Sequence, residues 1–206
     1  MPHRFRPDPE LSPLGPVLLQ RVHERAAMLD GAWFRGTQSA LPRDVIVTAF
    51  TRCGAHEGTL WLVRNDVLVP AINTGPHAEQ LVDVFRQPLA NGIIAMVAVT
   101  EQAFCENDVA HNASRDTTLD ALLGETTLAM MAAPLVFAGG VRGVVSCVQL
   151  HGAAPAPGFT PAQLEALEHD VNVAGRLIDL VLRDSVMGLH GVCRGIATRC
   201  TARGAA

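Results

Sequence analysis

Lysine is missing from all 206 residues, and so is tyrosine; the 16 basic side chains are all arginine. A phosphate-binding P-loop needs its lysine, and so does the nucleotide-clamping strand of a protein kinase. Schiff-base chemistry on a carbonyl substrate or pyridoxal phosphate needs a lysine amine. None of these mechanisms is open to this chain. Aromatic side chains are few, seven Phe and two Trp, so they contribute little to a core. No apolar run approaches the roughly 20 residues of a membrane helix. The start, Met1-Pro2-His3-Arg4-Phe5-Arg6-Pro7, has no apolar signal region. Five widely spaced cysteines, without a C-x-x-C pair, make no disulfide framework. These absences predict a cytoplasmic protein that does not enter a membrane. A net charge of −4 with scattered arginines predicts no nucleic-acid partner.

What is present suits a globular domain: 49% hydrophobic residues, 17% charged, and a length that favours one domain with helical extensions. Residues 1–13 are Pro-rich and polar and read as a flexible arm. Leu14, Val17, Leu18, Val22, Ala26 and Leu29 recur at helical spacing before Gly31, which makes 14–40 an N-terminal helix and linker. A second helix begins near Pro42 and carries Val45, Ile46, Ala49 and Phe50 on one face.

The period then changes. Thr59–Val63 and Val67–Ile72 are β-rich runs around Arg64-Asn65-Asp66, a hairpin. A short helix at Glu79–Val84, a buried helix after Gly92 and a short strand at Ala103–Glu106 follow. Residues 107–127 are polar, with a short helix at Leu119–Leu123. Strands Leu128–Phe137 and Val141–Leu150 join through Ala138-Gly139-Gly140. Thr160-Pro161-Ala162-Gln163 is a helix start with hydroxyl cap, first-turn proline and capping-box glutamine. That helix runs to about Arg183, and 185–206 reads as a disordered tail. Leu164, Leu167, Val171, Ala174, Ile178 and Val181 are spaced 3-4-3-4-3, a seam that suits another subunit's helix or the chain's own sheet. The order of elements is α+β with an antiparallel sheet over 41–184.

Candidate chemistry concentrates in the polar segment. Cys105-x-x-Asp108-x-x-His111 brings three ligand types within seven residues. No second cluster supplies a fourth ligand, so neither metal nor other cofactor is expected. Asp108, His111, Asn112, Arg115 and Asp116 suit the polar lip of a small-molecule pocket, with an ordinary solvated loop as the alternative. Ile94, Met96, Val97, Met130 and Ala132 would supply its apolar part. Arg115 could hold a carboxylate or phosphate in bidentate fashion. Cys53 and Cys147 sit in apolar elements as small core residues. Cys193 and Cys200 have no histidines at ligand spacing.

Six segments in order resemble a GAF domain, the sensory module of phosphodiesterases, phytochromes and bacterial signalling proteins. They are Gly58-Thr59-Leu60-Trp61-Leu62; Pro88-Leu89-Ala90-Asn91-Gly92-Ile93-Ile94-Ala95; Phe104-Cys105-Glu106-Asn107-Asp108-Val109; Met130-Met131-Ala132-Ala133-Pro134-Leu135-Val136; Gly140-Val141-Arg142-Gly143-Val144-Val145; and Phe159-Thr160-Pro161-Ala162-Gln163-Leu164. The resemblance implies a six-stranded antiparallel sheet, with N- and C-terminal helices on one face and a ligand pocket formed by short helices and loops on the other. It does not extend to cyclic-nucleotide members, whose Asn-Lys pair is replaced here by Gln149-Leu150-His151-Gly152. Nor does it extend to bilin carriers, since Thr117–Gly124 has no cysteine.

The expectation is therefore a non-enzymatic sensory domain. It would bind an unknown small molecule, pair as a homodimer through its terminal helices and act on a separate signalling effector protein. The 103–127 segment would respond to ligand. Two alternatives stand beside it: a redox enzyme or sensor of the free methionine sulfoxide reductase type using Cys105, and a degenerate domain that only dimerises or binds a partner.

Overall fold

Two hairpins build the sheet. In this computed structural model, which describes residues 9–10, 12–153 and 156–188, β1 (Glu57–Arg64) turns into β2 (Val67–Asn73), and β5 (Thr127–Phe137) turns into β6 (Gly140–Leu150). The second turn uses left-handed backbone at Ala138 and Gly139 (φ 49° and 77°). β1 pairs antiparallel with β6 and joins the hairpins. Short strands β3 (Gln87–Pro88) and β4 (Phe104–Glu106) close the edges, in the order β3-β2-β1-β6-β5-β4. β3 was not expected, because two residues carry no periodicity. It forms by pairing with Val67 and Leu68.

Helices α1 (Leu14–Ala27), α2 (Gly31–Arg35), α3 (Ala40–Arg52) and α7 (Pro161–Met187) cover one face. On the other lie α4 (Ala78–Leu81), α5 (Ile93–Thr100) and α6 (Thr118–Leu123). Successive strand residues point to opposite faces. Leu60, Leu62, Met131, Ala133, Leu135, Val145 and Cys147 thus pack under the terminal helices, while Trp61, Ala132 and Val144 pack under α5. Covering both faces explains why these strands read as continuous apolar runs rather than alternating ones.

Two expectations are corrected. Gly31 does not end a helix; Asp30 Oδ1 accepts the Trp33 N–H (2.8 Å) and starts α2 there. The predicted tail does not begin at 185, since α7 continues to Met187 and stops at Gly188, whose φ of 70° suits a residue without Cβ. Residues 189–206, with Cys193 and Cys200, and most of the 1–13 arm lie outside the described residues. Of the two partners expected for the α7 stripe, the structure gives it the chain's own sheet. Leu167, Val171, Ala174 and Ile178 are buried within their own chain, in one core with α3 and the sheet. Leu167, Val171 and Ile178 each contribute about 1.5–3 kcal/mol there and Ala174 about 0.8 kcal/mol, and none is free for a second subunit.

The start of α7 has the capping box: Thr160 Oγ1 accepts the Gln163 N–H (3.3 Å), and Gln163 Oε1 accepts the Thr160 N–H (2.8 Å). Thr160→Ala is expected to cost about 1 kcal/mol. For a domain of this size that lowers Tm by roughly 2–4 °C, and calorimetry showing no shift would refute the role of the cap.

Candidate ligand-binding site

The alternation of β1 sends Glu57, Thr59 and Trp61 to the face away from the terminal helices. With Ser146 of β6 they line a cavity of about 70 Å³, bounded also by Ile93 and Ile94 of α5 and by Arg115, Leu119 and Leu123 of the α6 region. Gly92, with φ 93°, lets the turn into α5 pass within contact of Gln87; a Cβ there would stand 2.4 Å from Gln87 Nε2.

Eight polar side chains are buried among the described residues, and five of them line this one cavity: Glu57, Thr59, Gln87, Thr127 and Ser146. The other three have structural partners. Ser39 Oγ donates to the carbonyls of Trp33 and Gly36, Gln149 bonds the main chain at Gly54 and Gly158, and Asp170 pairs with Arg52 at 3.2 Å.

Most polar groups around the cavity are tied to one another. Trp61 Nε1–H donates to Ser146 Oγ (2.9 Å) and Asn73 Nδ2–H to Thr59 Oγ1 (2.9 Å). Asp120 gathers three donors: Arg115 Nη2 (2.9 Å), the Thr127 N–H (3.1 Å) and Thr127 Oγ1 (2.9 Å). Arg115 Nε is buried and unpartnered. Asp116 accepts the Thr118 N–H (2.8 Å), and hydrogen bonds from Thr118 hold its carboxyl below the usual range. Glu57 is different. No described residue donates to its carboxylate, and burial, followed by the charge of Glu125, pushes its carboxyl above the ordinary value.

The residues expected from the sequence divide. Ile94, Met130, Arg115 and Asp116 line the cavity. Asp108, His111 and Asn112 do not, because they satisfy each other and Glu106 in an exposed loop: His111 Nδ1 stands 2.8 Å from Asp108 Oδ1, and Asn112 Nδ2 donates to Glu106 Oε2 (2.8 Å). Asp108 also caps nothing with its side chain. Met96 borders a separate open groove, and Val97 and Ala132 are fully buried in the core under α5. Sequence reading missed Glu57, Thr59, Gln87, Asp120, Thr127 and Ser146. A two-residue polar–polar–aromatic period at 57, 59 and 61 was the available signal for β1; the others became neighbours only by tertiary pairing.

Cys105 lies on the opposite side of the sheet from the cavity. It packs against the terminal-helix core with its thiol 3.9 Å from the Phe159 carbonyl, and burial raises its pKa. Cys53 and Cys147 are buried in that same core and interact with each other. Among the described residues no group of three or more His, Cys, Asp and Glu could hold a metal ion.

The profile of the GAF domain family matches residues 40–177, about two-thirds of the sequence. The chain belongs to the GAF domain family. Solved structures agree in fold. The GAF domain of a phosphoenolpyruvate-protein phosphotransferase from Coxiella burnetii superposes with a TM-score of 0.58 at 17% identity, over 84% of this chain and 96% of that one. The GAF-B domain of DevS from Mycobacterium smegmatis gives 0.58 at 19%, over 73% and 98%. Free methionine-R-sulfoxide reductase from Neisseria meningitidis, in complex with its substrate, gives 0.55 at 15%, over 88% and 97%. No curated protein matches in sequence. GAF domains are ligand-binding signalling modules, and in this one no helix among the described residues is long and apolar enough to cross a membrane.

Proposed function

We propose that this GAF domain is a non-catalytic regulatory module that binds a small molecule in the cavity between the sheet and α5–α6. It passes occupancy to a separate effector through terminal helices paired in a homodimer. The observation that carries the ligand reading is the gathering of five buried polar side chains around one cavity, where burial otherwise selects apolar groups. Transmission follows from the strands. Trp61 meets the cavity while its neighbours Leu60 and Leu62 meet the helix layer, so a shift of the floor reaches α3 and α7. For pairing, the large apolar residues left exposed are Leu14, Val17, Leu18 and Leu19 on α1 and Leu180 and Met187 on α7.

A cysteine-based reductase is the competing reading. Against it, a nucleophilic thiol needs a lowered pKa and access to substrate, whereas Cys105 is raised and faces away from the cavity.

Native mass spectrometry on freshly purified protein, followed by a metabolite screen, tests the proposal. A bound small molecule, a dimer mass and slowed hydrogen exchange over 107–126 on binding are expected. Ligands that bind while exchange over 107–126 stays unchanged would refute the switching role, and a monomer mass at micromolar concentration would remove the dimer.

A further inference from the structure

We propose that the molecule held in this cavity carries a positively charged nitrogen group, an ammonium or amidinium, that docks on the Glu57 carboxylate; this rests on the reading of the cavity as a ligand pocket.

Glu57 opens β1, its main chain set by pairing with Val148 of β6, and it is 9% exposed. Its carboxylate lies against Gly75, where a Cβ would stand 2.2 Å from an oxygen, so the chain leaves room for this group and for nothing else at that point. Among the described residues neither a hydrogen-bond donor nor an ion-pair partner reaches it. His77, the nearby cation-forming side chain, stands 3.8 Å from Glu125, and its charge acts on Glu57 only from beyond ion-pair distance, pulling the carboxyl down against burial and Glu125. The carboxylate therefore holds no piece of the fold together. Neither carboxylate oxygen is among the buried unpartnered atoms, so the group keeps contact with the open space of the cavity and is available to a ligand there.

The character of that partner follows from the surroundings. A second carboxylate, Glu125, lines the same cavity, which disfavours an anion at this end. No ligand set for a metal ion is present among the described residues. Gln87 spends its amide N–H on the Asn91 carbonyl (3.1 Å), which leaves its Oε1 free to accept. Trp61 lines the cavity two residues along the same strand face, and an indole attracts a cation to its ring. Acceptors and an aromatic face together select a small N–H-bearing cation.

Proton linkage follows. The titratable and charged groups around Glu57 are Glu125 and His77 nearby and Arg115, Asp116 and Asp120 across the cavity. In the empty protein the raised carboxyl keeps its proton to higher pH than it does in the unfolded chain. Folding stability therefore falls as pH rises from acid through the Glu57 titration. A bound cation favours the ionised form, so it releases a proton and binds more tightly as pH rises through the same range.

Acetamidinium, with acetamide as its uncharged counterpart of equal shape, tests this by protein NMR titration on wild type and on Glu57→Gln. Expected are weak, roughly millimolar binding of acetamidinium that shifts the resonances of 57–61, a loss of about tenfold or more in Glu57→Gln, and equally weak binding of acetamide by wild type. Without ligand, Glu57→Gln should melt at or above wild type and lose the decline in stability with rising pH. A variant that melts clearly below wild type shows a structural role and overturns the proposal, as does unchanged acetamidinium binding by Glu57→Gln or equal binding of acetamide. If acetamidinium does not bind while native mass spectrometry finds a neutral or anionic molecule in the cavity, the cation falls and the pocket reading stands. If neither is found, both fall.

Discussion

Gly175→Val is expected to cost more than about 4 kcal/mol, an exceptional loss for one substitution in a domain whose whole stability is about 5–15 kcal/mol. The cause is a close approach of α7 to β5. A Cβ at Gly175 would stand 2.2 Å from the Val136 carbonyl oxygen, a main-chain atom that cannot rotate aside. The helix is held at that distance nearby, where the Asp179 carboxylate accepts the Ala138 N–H at 2.7 Å. To admit valine, α7 would have to lift from the sheet, loosening Val171, Ala174 and Ile178 together. Thermal unfolding should show a Tm lower by about 10 °C or more. Gly15→Ala in α1 supplies the contrast. Nothing stands within 4 Å of a Cβ there, so helix propensity governs and stability should rise, by up to about 1 kcal/mol. Equal responses at the two glycines would refute the packing argument.

Asp120→Ala is expected to cost about 3 kcal/mol and to release the segment that closes the cavity. The side chain is 16% exposed and satisfies Arg115 and both donors of Thr127 at once. Its loss leaves the Thr127 N–H buried without a partner and Arg115 beside the cavity with no counter-charge. A buried orphan donor costs about 1–3 kcal/mol, and breaking a buried ion pair about 3–5 kcal/mol. Partial exposure of the pair places the sum at the lower end. Urea unfolding gives the magnitude, and hydrogen exchange should accelerate over 115–127 while β1 and β6 keep their protection. Asp120→Asn retains one acceptor and should lose less. A change under about 0.5 kcal/mol with unaltered exchange would show that the cluster does not hold α6 to the sheet.

Both results depend on residues that sequence reading passed over. Gly175 sits in a helical stripe with Ala174 and looks like an ordinary small core position. Asp120 lies in a short helix whose neighbours Leu119 and Leu123 gave no hint of a carboxylate directed inward. The capping box at Thr160 and the turn at Ala138-Gly139 were legible, because a cap and a turn are set by residues adjacent along the chain. The polar lip was half legible. Arg115 and Asp116 reach the cavity, whereas Asp108, His111 and Asn112 turn to Glu106 and to each other. Spacing places all five in one loop but does not say which way each points.

Local patterning was enough for both hairpins, the capped start of α7, the family resemblance and the exclusion of lysine chemistry, while α2 and the two-residue β3 escaped it. Periodicity, caps and residue inventory are local properties, readable without coordinates. Tertiary packing settles that the α7 stripe is spent on its own sheet, that Cys105 faces away from the cavity, and that no described residue donates a hydrogen bond to the Glu57 carboxylate inside it. The last depends on Gly75, His77, Glu125 and the pairing of β1 with β6. Whether a buried charge has a partner is a property of what folds against it, and residues far apart along the chain decide that.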